Sequence, residues 1–184
     1  VVGGWSGSIV SNSAVWNGSA WATEVALNTE RRDTSAIAGN SSDCIVVMGR
    51  NAAGDLLNTS AKWNGSTWAS AGTITTTAGE HGCGDGTSSD MMYTGGYAGG
   101  DLSSSGLYNG TTWSTGVSNN WASYGASLAG ANTSAMHQAG GNYASSATFN
   151  GTSWTNATVY DESGDTTTIY CTGGGVADSH WIMG

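Results

Sequence analysis

The side chains able to do acid–base or metal chemistry in this chain are few: three histidines, three cysteines and thirteen carboxylates among 184 residues. His81 stands beside Glu80 in "GEHGCGDG", the one histidine next to a carboxylate, and such a pair could pass a proton to or from a substrate. His137 and His180 each sit four residues before a glycine, where comparable stretches carry Ile45 and Met92. A place that accepts Ile, Met and His alike is a packing place. Cys83 and Cys171 lie thirteen residues before such glycines, where the other stretches have Ala36 and Leu128, so buried, inert thiols are expected. With Cys44 they form neither a Cys-x-x-Cys pair for zinc nor a disulfide framework. "GCGDG" at Gly82–Gly86 and "DESGD" at Asp161–Asp165 place carboxylates in Gly/Ser loops. That chemistry suits Ca²⁺, but neither has the spacing of an established calcium loop. No catalytic residue, metal ligand set or cofactor is assigned.

The elements that would hold these groups must be short strands. Helix formers are scarce, there are thirty glycines and no proline, and only 9% of residues are charged. The net charge is −9, and the only basic residues are Arg31, Arg32, Arg50 and Lys62. Without clustered cations along the chain, nucleic acid and anionic membrane surfaces are excluded as partners. No apolar run is long enough to cross a membrane as a helix, and nothing resembles a charged-then-apolar leader.

Internal repetition organises the rest. "WNGSAW" at Trp16–Trp21 returns as "WNGSTW" at Trp63–Trp68, "YNGTTW" at Tyr108–Trp113 and "FNGTSW" at Phe149–Trp154. The Asn-Gly pairs, Asn17-Gly18, Asn64-Gly65, Asn109-Gly110 and Asn150-Gly151, are spaced by 47, 45 and 41 residues. A second marker closes on Gly4, Gly49, Gly96, Gly141 and Gly184, at intervals of 45, 47, 45 and 43 residues. Two markers in step define units of about 1–33, 34–78, 79–122 and 123–165, with 166–184 a final partial unit. Each unit reads as four strands. Strand a is a small-residue segment ending near Gly39, Gly84, Gly130 or Gly173, strand b closes on the marker glycine, strand c runs into the aromatic-Asn-Gly, and strand d carries the Trp. Asn-Gly between strands predicts a type I′ hairpin turn, with left-handed backbone at both central residues and a cross-strand aromatic pair beside it.

A glycine doublet after the second strand, an aromatic closing the third and a Trp in the fourth together resemble the kelch-type β-propeller repeat. The doublet is intact at Gly3-Gly4, Gly95-Gly96 and Gly140-Gly141 and reduced to Met-Gly at Gly49 and Gly184. The likeness spans essentially the whole chain. It implies an all-β fold of four-stranded blades: four repeats plus one extra strand, as a β-propeller or a segment of a larger propeller or array. The "YNGTTW" turn is similar to divergent arrays in phage and marine bacterial surface proteins. That implies a non-catalytic structural or adhesion protein, extracellular or on a virion surface like a tail-fibre appendage, with protein partners or self-assembly.

Two other functions stand beside this one. Trp5, Tyr97 and Tyr143 fall in the b–c loops and Trp121 before the third strand a, outside the structural positions of the repeat, where they could stack on sugars as a lectin-like module does. A kelch-type oxidase comes third, because no convergent Tyr, His and Cys set of the copper type is visible. Eight Asn-x-Ser/Thr triplets are present, four of them the repeat turn itself, so they exist for backbone reasons whether or not they carry glycan.

Overall fold

A computed structural model describes residues 1–140, 143–158, 172–176 and 179–183, with backbone alone for 138, 139, 143, 144, 172–176 and 180–183. Among the described residues there is no helix. The strands form five antiparallel sheets. The first pairs β1 (Ser13–Trp16) with β2 (Trp21–Glu24). Three four-stranded sheets follow, each with its strands side by side in chain order. They are β3 (Ala36–Asn40), β4 (Asp43–Val47), β5 (Thr59–Trp63) and β6 (Trp68–Thr73); then β7 (Cys83–Thr87), β8 (Asp90–Thr94), β9 (Ser105–Tyr108) and β10 (Trp113–Thr115); then β11 (Ser127–Ala131), β12 (Ser134–Gly140), β13 (Tyr143–Phe149) and β14 (Trp154–Ala157). The last sheet pairs β15 (Thr172–Val176) with β16 (Ser179–Met183).

The strands a of successive sheets lie together: β3 against β7, β7 against β11 and β11 against β15. Only small residues permit that approach, and a Cβ on Gly84 would come within 2.7 Å of the Ala36 Cβ. The glycine opening the a–b turn is Gly86 rather than Gly84, opposite Met91 as Gly39 is opposite Cys44; its counterpart in the last sheet is Gly175, not Gly173. The first unit's strand b, expected from Val1-Val-Gly-Gly4, is reduced to a single bridge between Val2 and Ser13.

The aromatic-Asn-Gly hairpin forms, but with a different turn. Trp16 pairs with Trp21, Trp63 with Trp68, Tyr108 with Trp113 and Phe149 with Trp154, which leaves four residues in each loop instead of two. Only the glycine is left-handed, at φ 100, 91, 94 and 91° for Gly18, Gly65, Gly110 and Gly151. The asparagine stays in ordinary backbone because its side chain does the work of the turn. Asn109 Oδ1 accepts from the Thr111 N–H (3.1 Å), the Thr111 hydroxyl (2.9 Å) and the Thr112 N–H (2.9 Å). Asn17, Asn64 and Asn150 accept the same three bonds. The expected cross-strand aromatic pairs follow, with centroids 4.9–5.6 Å apart.

The core lies between sheets rather than within any one of them. Ile45, Val46 and Val47, and likewise Met91, Met92 and Tyr93, are buried in unbroken runs because strand b is covered on both faces. Val46, Trp63 and Trp68 pack with Leu27 of the first unit; Ile45 and Val47 pack with Met91, Tyr93 and Trp113 of the third; Met92 packs with Leu128 and Trp154 of the fourth. Each aromatic pair therefore covers the unit before its own. The indole N–H groups fix the direction: Trp68 donates to Ser13 Oγ (3.4 Å), Trp113 to Ser60 Oγ (2.8 Å) and Trp154 to the Val117 carbonyl (3.0 Å).

Candidate functional site

In sheets of this topology the a–b and c–d turns share one end and the b–c and d–a loops share the other. The marker glycines exist because a d–a loop crosses strand b at that second end. Gly96 N–H donates to the Ser123 carbonyl at 2.7 Å, and a Cβ on Gly95 would stand 2.6 Å from that same oxygen. Trp5 and Tyr97 project from b–c loops of this end, and Trp121 from a d–a loop. Tyr143 begins β13 there, with its side chain outside the described residues.

The structure brings these rings to one end without gathering them into one cluster. Trp5 is 64% exposed, and the Arg32 guanidinium lies 5.5 Å from its ring centroid. Beneath them, Gly7, Ile9, Arg50 and Asn51 help line a cleft of about 270 Å³. Tyr97 is half-buried, edge-on to Tyr124 at 5.8 Å. Trp121 is half-buried, and its indole N–H has no hydrogen-bond partner among the described residues. Among the described residues, no ring contact joins Trp5, Tyr97 and Trp121 to one another.

What charge counting missed is a framework under this end. The Arg50 guanidinium holds both Glu80 carboxylate oxygens, Nε to Oε2 at 2.8 Å and Nη2 to Oε1 at 2.7 Å. That bidentate pair keeps the Glu80 carboxyl below its ordinary range and raises Arg50. Arg31 is almost wholly buried. It donates to the Met48 carbonyl (3.0 Å) and the Thr59 carbonyl (3.2 Å), and desolvation lowers its pKa. The available signal was that all three arginines fall between residues 31 and 50, around the second marker glycine.

Three of the remaining chemical candidates, His137, Asp85 and Cys83, are parts of the packed sheets. His137 is fully buried on β12, with Nε2 3.0 Å from Ser123 Oγ and its ring edge-on to Trp154, as a packing position predicts. His81, Asp33 and Glu80 bring one ligand atom each within 4.8 Å of one another, but both Glu80 oxygens are already held by Arg50. "GCGDG" is not a loop: it runs into β7, and Asp85 Oδ2 accepts the Gly130 N–H of the next unit at 3.0 Å. The reason is that strand a, although glycine-rich, is paired along its length with β8. Cys83 is buried where Ala36 and Ser127 stand in neighbouring sheets. Cys171 and Asp161–Asp165 lie outside the described residues, as does the His180 side chain.

The all-β fold of repeated sheets is shared with at least one solved structure. The chain is similar to that of YjhT, at 11% identity and a TM-score of 0.58, over 75% of this chain and 49% of the YjhT chain. It thus spans about half the length of that neighbour. No family model and no curated protein matches the chain.

Proposed function

We propose that this chain is a non-catalytic, kelch-like repeat scaffold that acts outside the cell or on a virion surface and adheres through the end where its b–c loops lie. The observation that carries the reading is Trp5. A large ring is left in solvent on a frame held by the Arg50–Glu80 pair and Arg31, while His137 is committed to packing and both Glu80 oxygens to Arg50. Binding groups on a rigid frame are what an adhesion surface requires. The sheets, converging on their strands a, are the blades of a β-propeller or of a segment of one. A lectin-like reading is favoured by the same cleft, because an exposed indole with polar neighbours is the chemistry that recognises a sugar face.

The test is binding to intact cells and to immobilised glycans, comparing the native chain with Trp5→Ala. Trp5 is exposed, so the variant should keep its circular dichroism and lose at least about tenfold in binding. Unchanged binding by a folded Trp5→Ala chain would overturn the assignment of this end. Loss on cells without loss on glycans would leave a protein partner as the adhesion target.

A further inference from the structure

The loops at the b–c end repeat one arrangement with different side chains. Trp5, Arg50 and Tyr97 each follow a marker glycine, and each touches a residue of the d–a loop that leads out of its unit. Trp5 meets the Arg32 guanidinium, Arg50 holds Glu80, and Tyr97 lies edge-on to Tyr124. The backbone beneath is shared, since Arg32 bridges to Arg50 as Glu80 bridges to Tyr97. Trp5 itself is pinned by a bridge to Ile9. A constant frame that carries changing side chains is the construction of a recognition surface.

Of the three pairs, the first leaves its chemistry unspent. Arg50 gives Nε and Nη2 to Glu80 and Nη1 to the Gly54 carbonyl at 2.9 Å, so its donors are taken. Tyr97 and Tyr124 cover each other. Arg32, by contrast, has Nη1 3.4 Å from Asp33, while its Nε, shielded from solvent, has no hydrogen-bond partner among the described residues. A guanidinium carries several N–H donors in a planar fork, so one loose ion pair leaves most of them for a ligand. The other cations are committed, Arg31 to the Met48 and Thr59 carbonyls and Lys62 to Asp43 at 3.6 Å. The cleft between the b–c loops of the first two units, lined by Trp5, Ile9, Arg32 and Asn51, encloses about 270 Å³. That is just under the range of drug-sized pockets, about 300 Å³ and up, and suits a single sugar ring.

We propose that this cleft binds a carboxylate-bearing sugar, a uronic acid residue of a polysaccharide, with Trp5 under the ring and Arg32 on the carboxylate. The inference rests on the reading of this end as the adhesion surface and assigns that surface its ligand class. An indole offers a flat apolar face to the C–H groups of a pyranose, and the guanidinium fork matches a carboxylate in two parallel hydrogen bonds. Lysine could not supply that geometry. Arg32 and Trp5 already stand together as a cation–π pair, so both halves of the site are in place before a ligand arrives. The net charge of −9 does not oppose this contact, because charges farther than about 10 Å away are screened at about 0.1 M salt. Arg32 is also what separates Trp5 from Tyr97 and Trp121, which share the same end of the sheets without a guanidinium that has donors to spare.

The experiment is titration calorimetry of the 184-residue chain with trimers of galacturonate, glucuronate and mannuronate, each beside its carboxyl-reduced neutral counterpart. The native chain should bind at least one acidic trimer about tenfold or more tightly than the reduced form, as a charged hydrogen bond predicts, and added salt should shrink the difference. Arg32→Gln should keep its circular dichroism and lose the preference, whereas Arg32→Lys should keep part of it. Trp5→Ala should weaken both forms about tenfold. Equal binding of acidic and reduced trimers overturns the carboxylate assignment; if Trp5→Ala then weakens both, the b–c end still stands as the adhesion surface. A native chain that binds none of the trimers also overturns the proposal, and the comparison on intact cells decides the adhesion reading separately. So does a preference that survives in folded Arg32→Gln. The comparison of acidic with reduced trimers on the native chain requires no variant to fold.

Discussion

Trp113 and Trp21 occupy one repeat position, yet their removal should differ several-fold in cost. Trp113 is buried between units, stacked on Tyr108 at 4.9 Å and edge-on to Tyr93 at 5.7 Å, and it donates to Ser60 Oγ at 2.8 Å. Ser60 in turn donates to the Gly72 carbonyl at 3.1 Å, so the indole anchors the outer strands of the preceding unit. Trp113→Ala removes that packing and opens a cavity that two stiff sheets cannot collapse, a loss of about 3–5 kcal/mol. Against a domain stability of about 5–15 kcal/mol this threatens the fold. The gentler Trp113→Phe keeps a ring, and the hydrogen-bond part, about 1 kcal/mol, is isolated by a cycle with Ser60→Ala. Trp21, more than half exposed, should cost under about 1 kcal/mol when replaced by Ala. Urea titration followed by far-ultraviolet circular dichroism measures the four single variants and the Trp113→Phe/Ser60→Ala double variant. Equal costs for Trp113→Ala and Trp21→Ala would refute the claim that each pair works by covering the preceding unit.

Two further outcomes follow from the turn and from the half-buried Arg50–Glu80 pair. Asn109→Ala deletes the acceptor of the Thr111 and Thr112 N–H groups and should cost about 1 kcal/mol, with Asn109→Asp costing less because its carboxylate keeps the acceptor; thermal melts of both variants check the ordering. Glu80 is held by Arg50 below its ordinary value of 4.5, so its contribution to stability is complete above that pH and is lost as pH falls through the lower folded value. Glu80→Gln should therefore flatten the acid limb of a stability–pH profile, and an unchanged acid limb would show that the pair is not coupled to folding.

Aromatic-Asn-Gly-x-x-Trp was legible as a hairpin because hairpins are local: five consecutive peptide bonds decide them, and the partners are written in order. Its turn type was misjudged for a reason that is also local. Backbone preference alone asks for left-handed φ at both Asn and Gly, but the Asn109 side chain supplies the acceptor that the turn needs, and the loop relaxes to four residues. Strand a could be located only to within two residues, since a run such as Gly82-Cys-Gly-Asp-Gly86 offers several glycines and only tertiary pairing chooses Gly86. The Arg50–Glu80 pair and buried Arg31 were invisible because their partners come from different units. Trp5, Tyr97 and Trp121 share one end by strand order, which the repeat did imply. Whether they touch depends on loop paths that it did not.

Burial of strand b on both faces carries a consequence for the whole chain. A four-stranded sheet that needs cover on each side is not a stable object alone, and its stability is set by nearest neighbours, as in any stacked repeat. Among the described residues, Ile45 and Val47 of the second unit, Met91, Met92 and Tyr93 of the third and Ala135 and His137 of the fourth are wholly buried on their strands b. The first unit forms a sheet of two strands, and the large apolar residues exposed around it are Trp16 and Trp21 of its own hairpin and Ile37 of β3 in the second unit. Surface rings scattered at random would call for no explanation. Trp16 and Trp21 are different, because they occupy the positions that are buried in the three later units, where each aromatic pair covers the unit before its own.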